Sequence, residues 1–215
     1  MIKVLLVDDH DLVRTGVNRL LTDIDGIDVV AEATCGEDAL KMVVQHELDV
    51  VLMDINMPGM GGLEATRKLQ SAHPEVKVII VTMHGDDLFA QRLLKAGAMG
   101  YMTKGAGIDE IVHAIKEVKQ NRRYISPEIA QQLALSQFPD SDASPFDVLS
   151  ERELQVMMLL MEGKKVNQIS DQLCLSPKTV STYRHRLYDK LNVKNDIELT
   201  RLAIVHGIIE NNIPV

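Results

Sequence analysis

Up to about residue 120 the chain alternates between short continuous apolar runs and stretches in which apolar residues recur every three or four positions. Val4-Leu5-Leu6-Val7 and Val50-Val51-Leu52-Met53 carry no polar interruption, which is how strands buried on both faces of a parallel sheet read. Strands are expected near residues 2–7, 28–33, 49–53, 77–81 and 99–102, alternating with five helices. Leu12, Val13, Val17, Leu20 and Leu21 mark the apolar face of the first helix, and Ile108, Ile111, Val112, Ile115 and Val118 that of the last. The alternation predicts an α/β domain over residues 1–120: a doubly wound five-stranded parallel sheet in the flavodoxin-like order 2-1-3-4-5.

From residue 121 the pattern loosens. Ser126-Pro127 starts a short helix, and Phe138-Pro139-Asp140-Ser141-Asp142-Ala143-Ser144-Pro145 reads as a polar connection, so residues 121–147 form a linker with a short helix. Beyond it no strand signal returns. Ser150-Glu151-Arg152-Glu153 reads as a capping box, Gly163 as a stop, Val166 to Leu173 as a short helix, and Ser176-Pro177 as an N-cap followed by Pro at the first helical position. A last helix runs from about Asn195 to His206. Residues 148–215 are therefore expected to be a small all-α domain of four helices.

Composition adds bounds. The 215 residues are 46% hydrophobic and 25% charged, enough to bury two ordinary cores. The N-terminus turns acidic at Asp8-Asp9 before a signal peptide could finish, and no apolar stretch reaches the roughly 18 residues of a membrane span, so a cytoplasmic protein without a membrane partner is expected. Cys35 and Cys174 are isolated, with neither disulfide nor zinc spacing. The net charge of -8 is unevenly spread: residues 1–120 hold 12 Lys and Arg against 19 Asp and Glu, whereas residues 150–215 hold 9 against 8. Within the second half, Lys178, Arg184, Arg186, Lys190 and Lys194 make a basic stripe broken only by Asp189.

Chemistry gathers where the apolar runs end. The first finishes on Asp8-Asp9, the third on Asp54, the fourth on Thr82, and a short last run on Tyr101-Met102-Thr103-Lys104. In a doubly wound sheet strands one and three are neighbours and ligands bind beyond their carboxyl ends, which brings Asp8, Asp9 and Asp54 together. Three carboxylates in one place repel one another unless a cation joins them, and hard oxygen donors suit Mg²⁺ better than zinc.

The residues Val7-Asp8-Asp9-His10, Met53-Asp54-Ile55-Asn56-Met57-Pro58-Gly59-Met60-Gly61-Gly62, Val81-Thr82 and Lys104 resemble the receiver domain of bacterial two-component response regulators. The resemblance implies that Asp54 takes a phosphoryl group from a sensor histidine kinase. It also implies that Asp9, Asp54 and the backbone carbonyl of Asn56 bind Mg²⁺, with Asp8 supporting through water, and that Thr82, Lys104 and the switch aromatic Tyr101 read the phosphoryl state. An aspartyl nucleophile after an apolar strand also describes haloacid-dehalogenase-type phosphatases. Those need a second Asp two positions on, where this chain has Asn56, so an enzyme is not the expected reading.

In the C-terminal domain, Val166 to Leu173, Cys174-Leu175 and Ser176-Pro177-Lys178-Thr179-Val180 read as helix, tight turn, helix. Val180, Leu187 and Leu191 share one face, while Lys178, Thr179, Ser181, Thr182, His185 and Arg186 offer polar and basic groups suited to base edges, with Arg184 and Lys190 flanking them for phosphates. The segment from Leu149 to Leu191 resembles the LuxR-type helix-turn-helix of the NarL/FixJ regulators. Ser136-Gln137, Ser144-Pro145-Phe146 and Lys164 to Ser170 bring it nearest the GacA/UvrY/VarA subgroup. What that implies is a phosphorylation-activated transcription regulator, served by a hybrid sensor kinase, that binds promoter DNA as a homodimer and switches on small regulatory RNA genes. A tail that binds protein rather than DNA is the remaining alternative.

Overall fold

The computed structural model describes residues 1–82, 87–135, 144–206 and 208. The chain divides into two units, Met1–Gln137 and Phe138–Val215. The middle of the expected linker, residues 136–143, lies outside the described residues.

The first unit is a parallel sheet built from β1 (Ile2–Val7), β2 (Ile27–Ala33), β3 (Val50–Asp54), β4 (Lys77–Thr82) and β5 (Gly100–Thr103) in the expected order, and β6 (Tyr124–Ile125) beyond β5. This sixth strand corrects the expectation of five. Two residues are too few to show a period, but Tyr124 N donates to Met99 O and Ser126 N to Tyr101 O, both at 3.0 Å, so a segment expected to be linker extends the sheet. The central strand β3 is buried at every residue. Five helices join the six strands in turn: α1 (Asp11–Thr22), α2 (Gly36–Gln45), α3 (Gly62–Ala72), α4 (Asp87–Lys95) and α5 (Ile108–Lys119). Helices α1 and α5 pack together, and Leu21, Ile111, Ala114, Ile115 and Val118 join Val4, Leu6, Val50, Leu52 and Ile79 in one apolar cluster. After β6, α6 (Pro127–Leu135) packs against α4.

The face assigned to α1 needs correction. At 100° per residue Val13, Val17 and Leu21 span an arc of about 80°, whereas Leu12 lies opposite Leu21 and Leu20 falls on the margin. Accordingly Leu21 is fully buried, while Leu12 is 87% and Leu20 51% exposed.

The second unit opens with a 3-10 turn at Pro145–Val148, followed by α7 (Glu151–Met161), α8 (Val166–Gln172), α9 (Pro177–Leu191) and α10 (Asp196–Val205). The capping box forms as the sequence suggests: Glu153 N donates to Ser150 Oγ at 3.3 Å, and Ser150 N to Glu153 Oε2 at 2.7 Å. Ser176 Oγ accepts from Thr179 N at 3.1 Å, and Pro177 follows at the first helical position. The turn between α8 and α9 is pinned twice, by Leu175 N on Ser170 O at 2.9 Å and by Ser170 Oγ on Leu175 O at 2.7 Å. Phe146, Leu154, Met157, Ile169, Leu173, Val180, Leu187 and Leu199 form the core. No described helix is long and apolar enough to cross a membrane.

Candidate functional site

Strand register assembles the first candidate site. Val7 lies beside Met53, so the next residue on each strand, Asp8 and Asp54, meet at the carboxyl edge of the sheet. Thr82 pairs with Thr103 at the end of β4 and β5, and Lys104 N then donates to Thr82 O at 2.6 Å, which turns the chain so that Lys104 follows the sheet edge. Its ammonium reaches Asp8 Oδ2 at 2.7 Å and Asp54 Oδ2 at 2.9 Å. The other Asp54 oxygen, Oδ1, accepts from Ile55 N at 2.8 Å. Asp8, Asp54 and Thr82 are buried, and Asn56 stands exposed two residues beyond Asp54.

The electrostatics follow from that burial. Desolvation pushes the Asp54 carboxyl up to about 6, against the pull of the Lys104 ammonium and of the Asn56 backbone, with Asp8 pushing the same way as burial. For Lys104 burial works toward the neutral form, but hydrogen bonds and charge from Asp8 and Asp54 outweigh it and raise the ammonium above its ordinary value.

Ligand atoms of Asp8, Asp9, His10 and Asp54 lie within 4.8 Å of one another. Asp9 Oδ1 is buried without a hydrogen bond; His10 Nδ1 approaches it to 3.0 Å but is not aligned to donate. A buried carboxylate oxygen left unsatisfied between two further carboxylates is the environment a hard cation relieves, so these residues fit one. Arg14 was not singled out by sequence reasoning, yet its Nη1 donates to Asp8 O at 2.8 Å and its Nε to Glu32 Oε2 at 2.7 Å, fixing the loop after β1. The only local signal was an Arg six residues past Asp8. Tyr101, the switch aromatic that the resemblance implies, is fully buried on β5.

The second candidate site is the outer face of α9. Lys178, Thr182, His185 and Arg186 are exposed, and Thr179 and Ser181 partly so. The Ser181 and Thr182 hydroxyls donate back to Pro177 O and Lys178 O, both at 2.9 Å. The two flanking cations are not free in this structure. Arg184 Nε donates to Tyr188 Oη at 2.7 Å, and its guanidinium pairs with Asp196 at the start of α10. Lys190 Nζ holds Glu153 Oε2 at 2.6 Å and Val148 O at 3.1 Å. Both were expected to await phosphates; both instead tie α9 to its neighbours. A sequence gives no warning of this, because Asp196 and Glu153 stand 12 and 37 residues away.

A parallel-sheet domain with an acid-lined edge, followed by a helix-turn-helix unit with a basic second helix, defines a class. Residues 4–116 match the response regulator receiver domain, and residues 147–203 match the luxR family of bacterial regulatory proteins. The chain belongs to the two-component response regulators, in the branch whose output is a LuxR-type DNA-binding domain acting in transcription regulation. It is 58% identical over 211 residues to the response regulator GacA of Pseudomonas aeruginosa, covering 98% of this chain and 99% of that one. To UvrY of Escherichia coli it is 56% identical over 209 residues, covering 97% and 96%. A LuxR-family two-component response regulator from Aurantimonas sp. SI85-9A1 is similar in structure, with a TM-score of 0.61 at 40% identity, over 63% of this chain and 96% of that one.

Proposed function

We propose that Asp54 is the phosphoryl acceptor and that its phosphorylation by a sensor histidine kinase, of hybrid type by resemblance, governs how the second unit binds promoter DNA. The observation that supports this most directly is the Asp54 carboxylate, buried at the end of β3 with Asp8 and Lys104 against it and Asp9 in the same cluster. In the transfer the P–N bond to the kinase histidine breaks and a P–O bond to Asp54 forms, with charge spread over the equatorial phosphoryl oxygens. Asp9, Asp54 and the Asn56 carbonyl would hold Mg²⁺, with Asp8 supporting through water; the ion supplies positive charge to those oxygens. Lys104 supplies a second positive group, and the Thr82 hydroxyl a donor. Asn56 cannot act as a general acid, so the acyl phosphate is kept as a signal rather than turned over. On this reading the protein is a switch and not an enzyme.

The output reading places Lys178, Thr179, Ser181, Thr182, His185 and Arg186 of α9 in the major groove, α8 crossing the backbone, and a homodimer on an inverted repeat. On α10 Leu199 and Ala203 are committed to the core and Leu202 and Ile204 are partly covered, which leaves Ile197, 71% exposed, and Val205, 79% exposed, as the apolar groups available to a second copy. Kinship with GacA and UvrY supports small regulatory RNA genes as the targets, in a circuit that titrates an RNA-binding translational repressor.

The test is binding to an inverted-repeat duplex selected from random DNA, with and without beryllofluoride and Mg²⁺. Affinity should rise when the analogue is present and stay at its basal level in Asp54→Asn. Light scattering should give two chains per duplex. Tight binding by a monomer that ignores both the analogue and the substitution would sink the reading.

A further inference from the structure

The loop that carries Asn56 is gripped from the side by the first turn of α2. Gly36 N donates to Met60 O at 3.2 Å, and Glu37 Oε1 accepts from Met60 N at 2.9 Å, so one residue of the loop is held at both its backbone polar groups. There is no slack in the fit. A Cβ on Gly36 would come within 2.7 Å of Met60 O, and one on Gly59, whose φ is +66°, within 2.8 Å of Glu37 Oε1. At its other end the loop is closed by Gly62 N on Ile55 O at 2.9 Å, where a Cβ on Gly62 would run into the Asp54 carbonyl oxygen. Asn56 lies between these two fixed points.

Glu37 is an odd choice if its task were only to start α2. Its second oxygen, Oε2, is buried without a hydrogen bond, so a charge is held in place with one oxygen unsatisfied, which costs free energy. The return on that cost is the reach to Met60 N. We propose that Glu37 is a positioning residue for the divalent cation: by fixing the Met60 backbone N–H it holds the Asn56 carbonyl at the place where the acidic crevice needs a further oxygen. Glu37 itself touches neither the cation nor the phosphoryl group. The inference rests on the reading of Asp9, Asp54 and Asn56 as cation ligands.

Reach and charge can be separated by substitution. Glu37→Gln keeps the length and an acceptor oxygen but loses the charge; Glu37→Asp keeps the charge but withdraws the oxygen from Met60 N. Mg²⁺ is titrated calorimetrically into the full chain, with melting curves to confirm that each variant folds. Glu37→Gln should bind within about twofold of wild type. Glu37→Asp should weaken binding roughly tenfold, the lower end of what is lost when a group supporting a metal ligand is removed. With saturating Mg²⁺, labelling of Glu37→Asp by acetyl phosphate should return to the wild-type rate, because only the Mg²⁺ requirement has moved. The reverse pattern, a weak Gln variant and a normal Asp variant, would show that Glu37 acts by charge and overturn the proposal, as would wild-type affinity in both. Asp9→Ala serves as the separate control: if it binds Mg²⁺ as tightly as wild type, the crevice reading fails and this inference fails with it.

Discussion

The Lys104 ammonium bridges Asp8 and Asp54, 2.7 Å from one carboxylate and 2.9 Å from the other, so a single cation offsets the repulsion of two buried anions. Removing one partner of a buried ion pair typically costs about 3–5 kcal/mol because the remaining charge is left uncompensated. Lys104→Ala should therefore melt well below wild type in EDTA. Mg²⁺ offers the same two carboxylates another source of positive charge, and it should close most of that gap while labelling of Asp54 continues and the DNA response is impaired. A melting difference that stays constant from EDTA to millimolar Mg²⁺ would show that no cation substitutes for the lysine there.

Asp54 carries the opposite burden. Its carboxyl is pushed up to about 6 by burial, above its unfolded value near 4, so the folded state holds the proton more tightly than the unfolded chain does. Stability is then full below about pH 4, falls as the pH rises toward 6, and stays lower above it. Asp54→Asn removes the ionisable group, and by linkage it should gain roughly 2–3 kcal/mol at pH 7 in EDTA and lose little between pH 4 and 6. Urea denaturation across that range reads the difference directly. The same variant should take no label from acetyl phosphate; undiminished labelling would refute the assignment of Asp54.

What could be read ahead of the structure tracks how local the signal is. The uninterrupted runs at residues 4–7 and 50–53 are strands because nothing polar breaks them, and their ends bring Asp8 and Asp54 together through register alone. The capping box at Ser150 and the Ser176-Pro177 start are contained in four residues, and both form. Strand β6 could not be read, since two residues carry no period and its hydrogen bonds go to β5. The partners of Arg184 and Lys190 were equally invisible, because a cation on a helix reads the same whether it faces solvent or an acid contributed by another helix. Glu37 shows the same limit from the acidic side: in sequence it is a first-turn carboxylate like many others, and its grip on Met60 spans 23 residues.

Glu153 joins two devices in the DNA-binding unit, accepting from Ser150 N in the capping box and from Lys190 on α9. Burial raises its carboxyl, but the hydrogen bonds from Lys190 and Ser150 prevail and hold it below the ordinary glutamate range. The stability it lends is therefore present above the unfolded value and lost as the pH falls through the folded one. Glu153→Gln should destabilise the protein by about 1.5–3 kcal/mol at pH 7, the range for a charge-assisted hydrogen bond, with the difference from wild type shrinking toward pH 3. A difference that is constant from pH 7 to pH 3 would mean that the charge of Glu153 contributes nothing.

The engagement of Arg184 changes what a salt titration of DNA binding should show. Each phosphate neutralised by a Lys or Arg adds close to one unit to the slope of log K against log salt. Arg184 already pairs with Asp196 and Tyr188, and Lys190 with Glu153, so drawing either to a phosphate would break a contact that ties α9 to α10 or α7. Lys178 and Arg186 stand exposed on the outer face of α9 with no such engagement described. Lys178→Ala and Arg186→Ala should each lower the slope by about one if they meet phosphate, or relax specificity at one base pair at a cost of roughly 1–3 kcal/mol if they meet a base edge. Arg184→Ala should leave the slope near the wild-type value and instead lower the melting temperature of the second unit. A drop of one unit in the slope for Arg184→Ala, with its melting temperature unchanged, would return Arg184 to the phosphate backbone and show that its pairing with Asp196 gives way when DNA binds.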